Sequence, residues 1–226
     1  MLGSLFEKFD NITIFDVETT GTNTKKDEII EIAMLRATNE GGVPVIEEEL
    51  DVFVSLSQGN KLPAVITDLT GITERQLLEE GVQKDEVCDK VVNMLSCSTP
   101  LLVAYNAQFD LCFLYHFLNR FNKAEVLKRV KMLDALTIYR DRRPYPHKLS
   151  DAANAYSLST LGTHRAHEDA KATFELLCKM GTESDDLYHY VNLFGYNPKF
   201  GVSGQRISSV RYLPQGYDRA GKLYEA

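Results

Sequence analysis

Ile12-Thr13-Ile14-Phe15-Asp16-Val17-Glu18-Thr19-Thr20-Gly21 is the stretch from which the fold can be read. Residues 12–15 are a short apolar run with the character of a buried strand. Side chains two apart on a strand share a face, so Asp16 and Glu18 project side by side where the strand ends. Two carboxylates that close repel each other, and one takes up a proton unless a cation sits between them. Mg²⁺ and Mn²⁺ are hard cations that accept oxygen ligands of this kind. Thr19-Thr20-Gly21 then turns the chain away and leaves backbone N–H groups near the acids. A lone Asp-x-Glu is ordinarily a polar strand end facing water, so the rest of the chain must decide.

The chain has 226 residues, of which 44% are hydrophobic. That is enough for one domain with a real core, and for an appendage. No apolar run approaches the ~20 residues of a membrane span. The first eight residues lack the basic region and apolar stretch of a signal peptide. The four cysteines, Cys88, Cys97, Cys112 and Cys178, have no C-x-x-C spacing. They read as small core residues of a reducing compartment, so the expected location is cytoplasmic, with no membrane partner. A net charge of −7 does not advertise a nucleic-acid binder. A site that gathers carboxylates lowers the net charge, however, and its bound ions restore positive potential locally.

Outward from the first strand, residues 29–36 read as a second strand. Gly41-Gly42 fits a hairpin turn. Residues 45–56 read as a third strand, with Glu47, Glu49 and Asp51 on one wet face. Pro63 opens a short helix that Gly71 stops. Thr73-Glu74-Arg75-Gln76 has the form of a capping box. Residues 84–95 carry a helical apolar period. Residues 101–105 form an apolar, central fourth strand. Asn106 is the expected N-cap of the next helix. Residues 130–133 are a short fifth strand, and helices follow at 133–139 and 148–155, with a loop over 140–147. The last strong helix spans 166–180, with Gly181 as its C-terminal cap. The pattern is a mixed α/β sheet whose first three strands form an antiparallel meander, covered by helices.

Two more acids begin helices: Asp110, just past the fourth strand, and Asp169, in the first turn of the last helix. Either alone is ordinary, because an acid there offsets the helix dipole. Together with Asp16-Val17-Glu18-Thr19-Thr20-Gly21, Glu28-Ile29-Ile30-Glu31-Ile32-Ala33, Tyr105-Asn106-Ala107-Gln108-Phe109-Asp110 and His164-Arg165-Ala166 ahead of Asp169-Ala170, they form a recognisable series. Over residues 10 to 180 the chain resembles the DnaQ-like 3′–5′ exonucleases of the ribonuclease H-like fold, in the subclass with four acids and a histidine. The proofreading epsilon subunit of bacterial replicative DNA polymerase belongs to that family. Tyr105 departs from the histidine that many members carry, and Thr22 from a common leucine.

The resemblance implies a five-stranded ribonuclease H-like sheet. It implies two divalent ions, Mg²⁺ or Mn²⁺, held by Asp16, Glu18, Asp110 and Asp169. Asp16 would bridge the ions, and His164 would be the general base. The implied activity is hydrolysis of phosphodiester bonds at the 3′ end of single-stranded DNA, releasing nucleoside 5′-monophosphates, with a DNA polymerase as an optional partner. An exoribonuclease is the alternative, and an inactive nucleic-acid binding module a more distant one. Thr19, Thr20, Gly21, Asn106 and Phe109 are the expected substrate contacts.

The basic stretch 128–148 carries Arg129, Lys131, Arg140, Arg142 and Arg143 among tyrosines. Arginines beside aromatics suit a single strand, and Arg142 and Arg143 are the expected phosphate contacts. His164 and His167 are spaced H-x-x-H, but no third zinc ligand lies near them in sequence. With a helix beginning near Ala166, His167 points about 200° away from Asp169. Residues 1–182 are read as the exonuclease domain. Residues 183–226 are read as an extension packed on it, with a helix over 186–194 and an extended segment over 207–213.

Overall fold

The sheet has its first strand in the middle. The computed structural model describes residues 2–160, 162–217 and 221–226. Strands β1 (Asn11–Thr19), β2 (Ile29–Glu40), β3 (Val43–Phe53), β4 (Pro100–Ala104) and β5 (Lys131–Asp134) lie in the order β3-β2-β1-β4-β5. β1, β2 and β3 are antiparallel neighbours, while β4 and β5 run parallel to β1. Gly41 and Gly42, at φ +62° and +92°, close the two-residue hairpin loop between β2 and β3, a conformation that glycine adopts freely.

The period of two along β1 sorts its side chains between two cores. Ile12 and Ile14 join Ala33, Leu35, Leu101, Val103 and Leu133 on one face. Helices α6 (Ala135–Arg142), α7 (Leu149–Tyr156) and α8 (Ala166–Glu183) cover that face. Phe15 and Val17 join Ile32, Met34, Leu102, Ala104 and Met132 on the other, under α4 (Lys84–Met94) and α5 (Ala107–Arg120). The same alternation carries Asp16 and Glu18 to the α8 face. The shorter helices are α1 (Gly3–Phe6), α2 (Ala64–Thr70) and α3 (Glu74–Glu79). Gly71 ends α2 in the left-handed conformation, and Thr73 and Gln76 form the capping box of α3.

Residues beyond α8 pack on the same body. A 3₁₀ turn over Leu187–Tyr190 leads into β6 (Leu193–Tyr196), which pairs with β7 (Arg211–Pro214) in a parallel two-stranded sheet. Asn192 donates its N–H to the Met132 carbonyl at 2.7 Å, and its side-chain oxygen accepts the Met132 N–H at 2.9 Å. Leu187, Tyr190, Leu193 and Leu223 enter one core, and Phe194 and Val210 the other.

Four expectations are corrected. Asn106 makes no side-chain cap; it sits at φ +68°, a conformation asparagine tolerates. The Asn106 and Ala107 N–H groups are accepted instead by Asp134, at 2.9 and 3.1 Å. Residues 140–142 are the last turn of α6, because Tyr139 and Ile138 are buried and Arg142 anchors the helix end. α8 runs through Gly181 to Glu183. Its terminal acceptors need no glycine turn, since the Met180 and Ser184 carbonyls receive the Arg142 guanidinium. Residues 186–194 are a 3₁₀ turn followed by a strand, held by the exchange of bonds between Asn192 and Met132 beside the sheet edge.

Candidate active site

β1 brings Asp16 and Glu18 to its C-terminal end, and α8 places Asp169 over them. One carboxylate oxygen from each of these three residues lies within 4.8 Å of the others. Asp110 reaches the cluster from the opposite side of the sheet. The pairing of β4 with β1 runs only from Asn11↔Pro100 to Ile14↔Val103. Where β4 has ended, the Val17 N–H donates to Asp110 Oδ1 at 3.3 Å. Asp110 is 3% exposed. One carboxylate, Asp134, fixes the start of the helix that carries it: it accepts from Asn106 and Ala107, and also from the Leu136 N–H and the Thr137 hydroxyl at the start of α6.

This density of negative charge changes the acids. Burial, then Asp110, Asp169, Glu18 and Glu31, hold the Asp16 carboxyl well above the ordinary range. Glu18 is pushed up to about 8 by burial and by Asp169 and Glu31, with Arg165 opposing. Burial also raises Asp110, against the pull of backbone N–H groups. Burial raises Asp169, while the Thr163 N–H and His164 draw it down. Such a set fits a divalent cation: half-buried hard oxygen donors, mutually repelling, with no unpaired ammonium or guanidinium beside them among the described residues. Asp16, Glu18 and Asp169 would hold it directly, with Asp110 next to them.

The His164 loop closes over Asp169. The Thr163 N–H donates to Asp169 Oδ1 at 2.8 Å. His164 is exposed and sits at φ +56°, a conformation that costs a non-glycine residue about 1–3 kcal/mol. His167 turns away: its Nε2 lies 2.7 Å from Glu49 on the wet face of β3.

Two residues of the site had no role in the sequence reading. Glu31 stands directly opposite Glu18 in the β1–β2 register and is 1% exposed. Arg165 grips it with three contacts of 2.7 to 3.2 Å, and the Ala166 N–H at the start of α8 donates to it at 2.9 Å. Glu31 therefore anchors the residues between His164 and Asp169. Like charges opposite each other on a sheet are unfavourable, so the hairpin register, once assumed, would have asked for a cation at Glu31. Glu28, 6% exposed, is pinned by Ser57, Asn60 and Lys84. Burial alone would raise it, but Lys84 and Ser57 bring it down to about 2.

The expected substrate contacts divide. The Thr20 N–H is already bonded to the Glu28 carbonyl, and the Thr19 hydroxyl to Gly21 O. A β-carbon at Gly21 would fall 2.5 Å from an Asp27 carboxylate oxygen, so Asp27 would have to shift to admit one. Phe109 is half-buried against Phe113, ring centroids 4.9 Å apart. Tyr105 directs its hydroxyl to the His147 carbonyl. Arg142 and Arg143 correct the sequence reading. Arg142 is 3% exposed and bonded to Met180, Ser184 and Asp186, with Glu183 nearby. Arg143 pairs with Glu183 and covers the Tyr156 ring. Arg142 is neutralised inside the fold, whereas the Arg143 pair lies at the surface.

The comparisons identify the family and the fold. The family model described as Exonuclease, RNase_T, matches residues 13–177. The chain belongs to this exonuclease family, within the ribonuclease H-like superfamily with four acids and a histidine. It is 33% identical over 171 residues to the PolC-type DNA polymerase III of Caldanaerobacter subterraneus, covering 74% of this chain and 11% of that protein. It is 34% identical over 176 residues to the PolC-type enzyme of Clostridium perfringens, covering 76% and 11%. The chain thus spans about a tenth of the length of these relatives. Among solved structures, E. coli Exonuclease I in complex with a dA16 oligonucleotide shares the fold at TM-score 0.70 and 18% identity, over 80% of this chain and 42% of that one. Exonuclease I from Methylocaldum szegediense does so at TM-score 0.68 and 20% identity, over 80% and 42%. Among the described residues, no helix is long and apolar enough to cross a membrane.

Proposed function

We propose that this chain is a metal-dependent 3′–5′ exonuclease that hydrolyses the terminal phosphodiester bond of single-stranded DNA and releases nucleoside 5′-monophosphates. The observation that carries the reading is the convergence of Asp16, Glu18 and Asp169 within 4.8 Å, with buried Asp110 alongside. Two divalent ions, Mg²⁺ or Mn²⁺, would supply a nucleophilic oxygen at neutral pH and charge stabilisation for the leaving oxygen. Asp16, whose carboxyl feels Asp110, Asp169 and Glu18 together, would be shared between the ions. Glu18 and Asp169 would help hold the ion that activates water, and Asp110 the second ion. His164, on the loop that Thr163 ties to Asp169, would take the proton of the attacking water at its imidazole. Phe109 offers a ring face to the terminal base, while Thr19, Thr20, Gly21 and Asn106 shape the walls beside it. Residues 1–182 form the catalytic unit and 183–226 its extension.

DNA as substrate is supported by the PolC-type DNA polymerase relatives and by the Exonuclease I complexes with oligonucleotides. The polymerase relatives also support a role beside a polymerase. Matched 5′-labelled DNA and RNA oligonucleotides test the reading. A descending DNA ladder that needs Mg²⁺ or Mn²⁺ and stops in EDTA is expected. Full activity in excess EDTA, or immediate release of the 5′ label as a mononucleotide, refutes it. Preferential decay of the RNA would reassign the substrate.

A further inference from the structure

The end of the sheet opposite the acids carries a second polar feature. β1, β4 and β5 all begin there, and a cleft of about 580 Å³ opens beside them. Lys8, Arg129, Lys131 and His189 line it, and no carboxylate does. Lys8, Arg129 and Lys131 have no ion pair among the described residues. Single exposed cations such as Lys25, Lys61 and Lys199 also lack an ion pair among the described residues; this group differs in being gathered around one concavity whose lining holds no carboxylate. Asp10, beside the lining residues Ser98 and Thr99, accepts from the Ser98 hydroxyl and from the Thr99 N–H at 3.2 Å. Tyr188, 42% exposed, also lines the cleft and leans on Phe9 with ring centroids 6.3 Å apart.

Unpaired cations around a concavity, with an open aromatic face among them, have the chemistry that binds a single strand. The cations meet phosphates and the ring stacks on a base. We propose that this cleft holds the phosphodiester backbone of a single-stranded nucleic acid, at a point remote from the end being hydrolysed. The inference rests on the exonuclease reading for the identity of that strand. Seven residues of β1 separate Asn11 from Glu18, or about 23 Å at ~3.3 Å per residue. That distance corresponds to roughly seven stacked nucleotides at ~3.4 Å each. A short oligonucleotide can therefore fill the acid site without reaching the cleft, and a long one can occupy both. Arg129 and Lys131 belong to the basic stretch 128–148, so that stretch offers unpaired cations here, at its beginning, and not at Arg142 and Arg143.

Binding without hydrolysis, measured by fluorescence anisotropy in EDTA with Asp16→Asn as the background, tests the proposal. The probes are DNA oligonucleotides of about four and about twenty nucleotides, chosen on either side of the roughly seven-nucleotide span. Affinity is expected to rise by tenfold or more from the short probe to the long one. Arg129→Gln with Lys131→Gln, both exposed, should abolish that gain and flatten the salt dependence by about 1.4 in slope, two phosphate contacts at ~0.7 each. Tyr188→Ala should weaken the long probe about tenfold, as loss of one stacked base does. With Asp16 intact, hydrolysis of the short oligonucleotide should be unchanged by the Arg129 and Lys131 substitutions. A length dependence that survives those substitutions overturns the proposal. So does competition by a deoxynucleoside monophosphate or by polyglutamate at the same concentration as the oligonucleotide. If the wild type hydrolyses nothing yet shows the length-dependent binding, the catalytic reading fails and the cleft assignment stands.

Discussion

The two ends of the central sheet carry opposite unsatisfied charge. At the C-terminal end of β1, Asp16, Glu18, Asp110 and Asp169 crowd together, and the nearest guanidinium, Arg165, is committed to Glu31. Where β1, β4 and β5 begin, Lys8, Arg129 and Lys131 line a cleft without an acid to answer them. Elsewhere some charges meet in pairs, such as Lys84 with Glu28, and others stand singly in solvent. Buried like charge is destabilising unless a ligand completes it, which applies to the acid end; the cations at the other end are solvated and would gain only when a polyanion lies along them. The two ends differ in depth. The acids are drawn from β1, α5 and α8 into a half-buried cluster, whereas the cations are exposed side chains on a rim. Removing an acid should therefore change chemistry and stability together, and removing a rim cation should change binding alone.

The largest expected effect breaks the acid end. Asp16→Ala should lower kcat more than about a thousandfold, ~4 kcal/mol of barrier, without lowering Tm in EDTA, because it relieves carboxylate repulsion. Single-turnover kinetics with calorimetric Mn²⁺ titration would check both, and retention of more than about a tenth of the rate would remove Asp16 from the centre of the site. Next in size, Arg142→Ala should cost about 3 kcal/mol of stability, since it strips a buried cation from Asp186 and from the end of α8. Arg143→Ala should cost under about 1 kcal/mol. Denaturant unfolding measures the difference, and strand binding should move with neither.

His164→Ala should reduce turnover about a hundredfold with metal still bound. His167→Ala, which releases Glu49 and Asp51 on β3 and the neighbouring Glu168, should leave kcat within about twofold. The reversed order would mean that the loop, not the helix, faces away from the metals. The subtlest expectation concerns pH. In the metal-free protein Glu18 titrates at about 8, against 4.5 when unfolded. The folded state therefore holds the proton more tightly. Its contribution to stability is complete below pH 4.5 and is lost as pH rises through 8. Asp16, Asp110 and Asp169 shift in the same direction. Thermal melts in EDTA from about pH 5 to about pH 8.5 should show Tm falling, and saturating Mn²⁺ should remove the decline. A Tm that rises with pH in EDTA would show that the acids are not mutually destabilised.

What the sequence determined is local or periodic. Alternation along residues 12–18 put Asp16 and Glu18 on one face, because a strand repeats every two residues. Glycines marked the hairpin at 41–42 and the end of α2, and Thr73 with Gln76 marked the start of α3, because each acts on its own turn. His167 was placed away from the acids by helical geometry alone. The order of the acids along the chain supplied the family resemblance.

Tertiary structure decided everything that depends on which distant groups meet. Asp134 holds the starts of two helices, and nothing in its own stretch announces that. Glu31 acquires its role only because the β1–β2 register sets it against Glu18 and the fold returns Arg165 to it from 134 residues away. The basic stretch 128–148 reads as one feature in sequence, yet Arg142 is buried under α8 while Arg129 and Lys131 line an open cleft. A side chain's charge is a property of its residue, but whether that charge is available depends on burial and on partners that chain order does not encode.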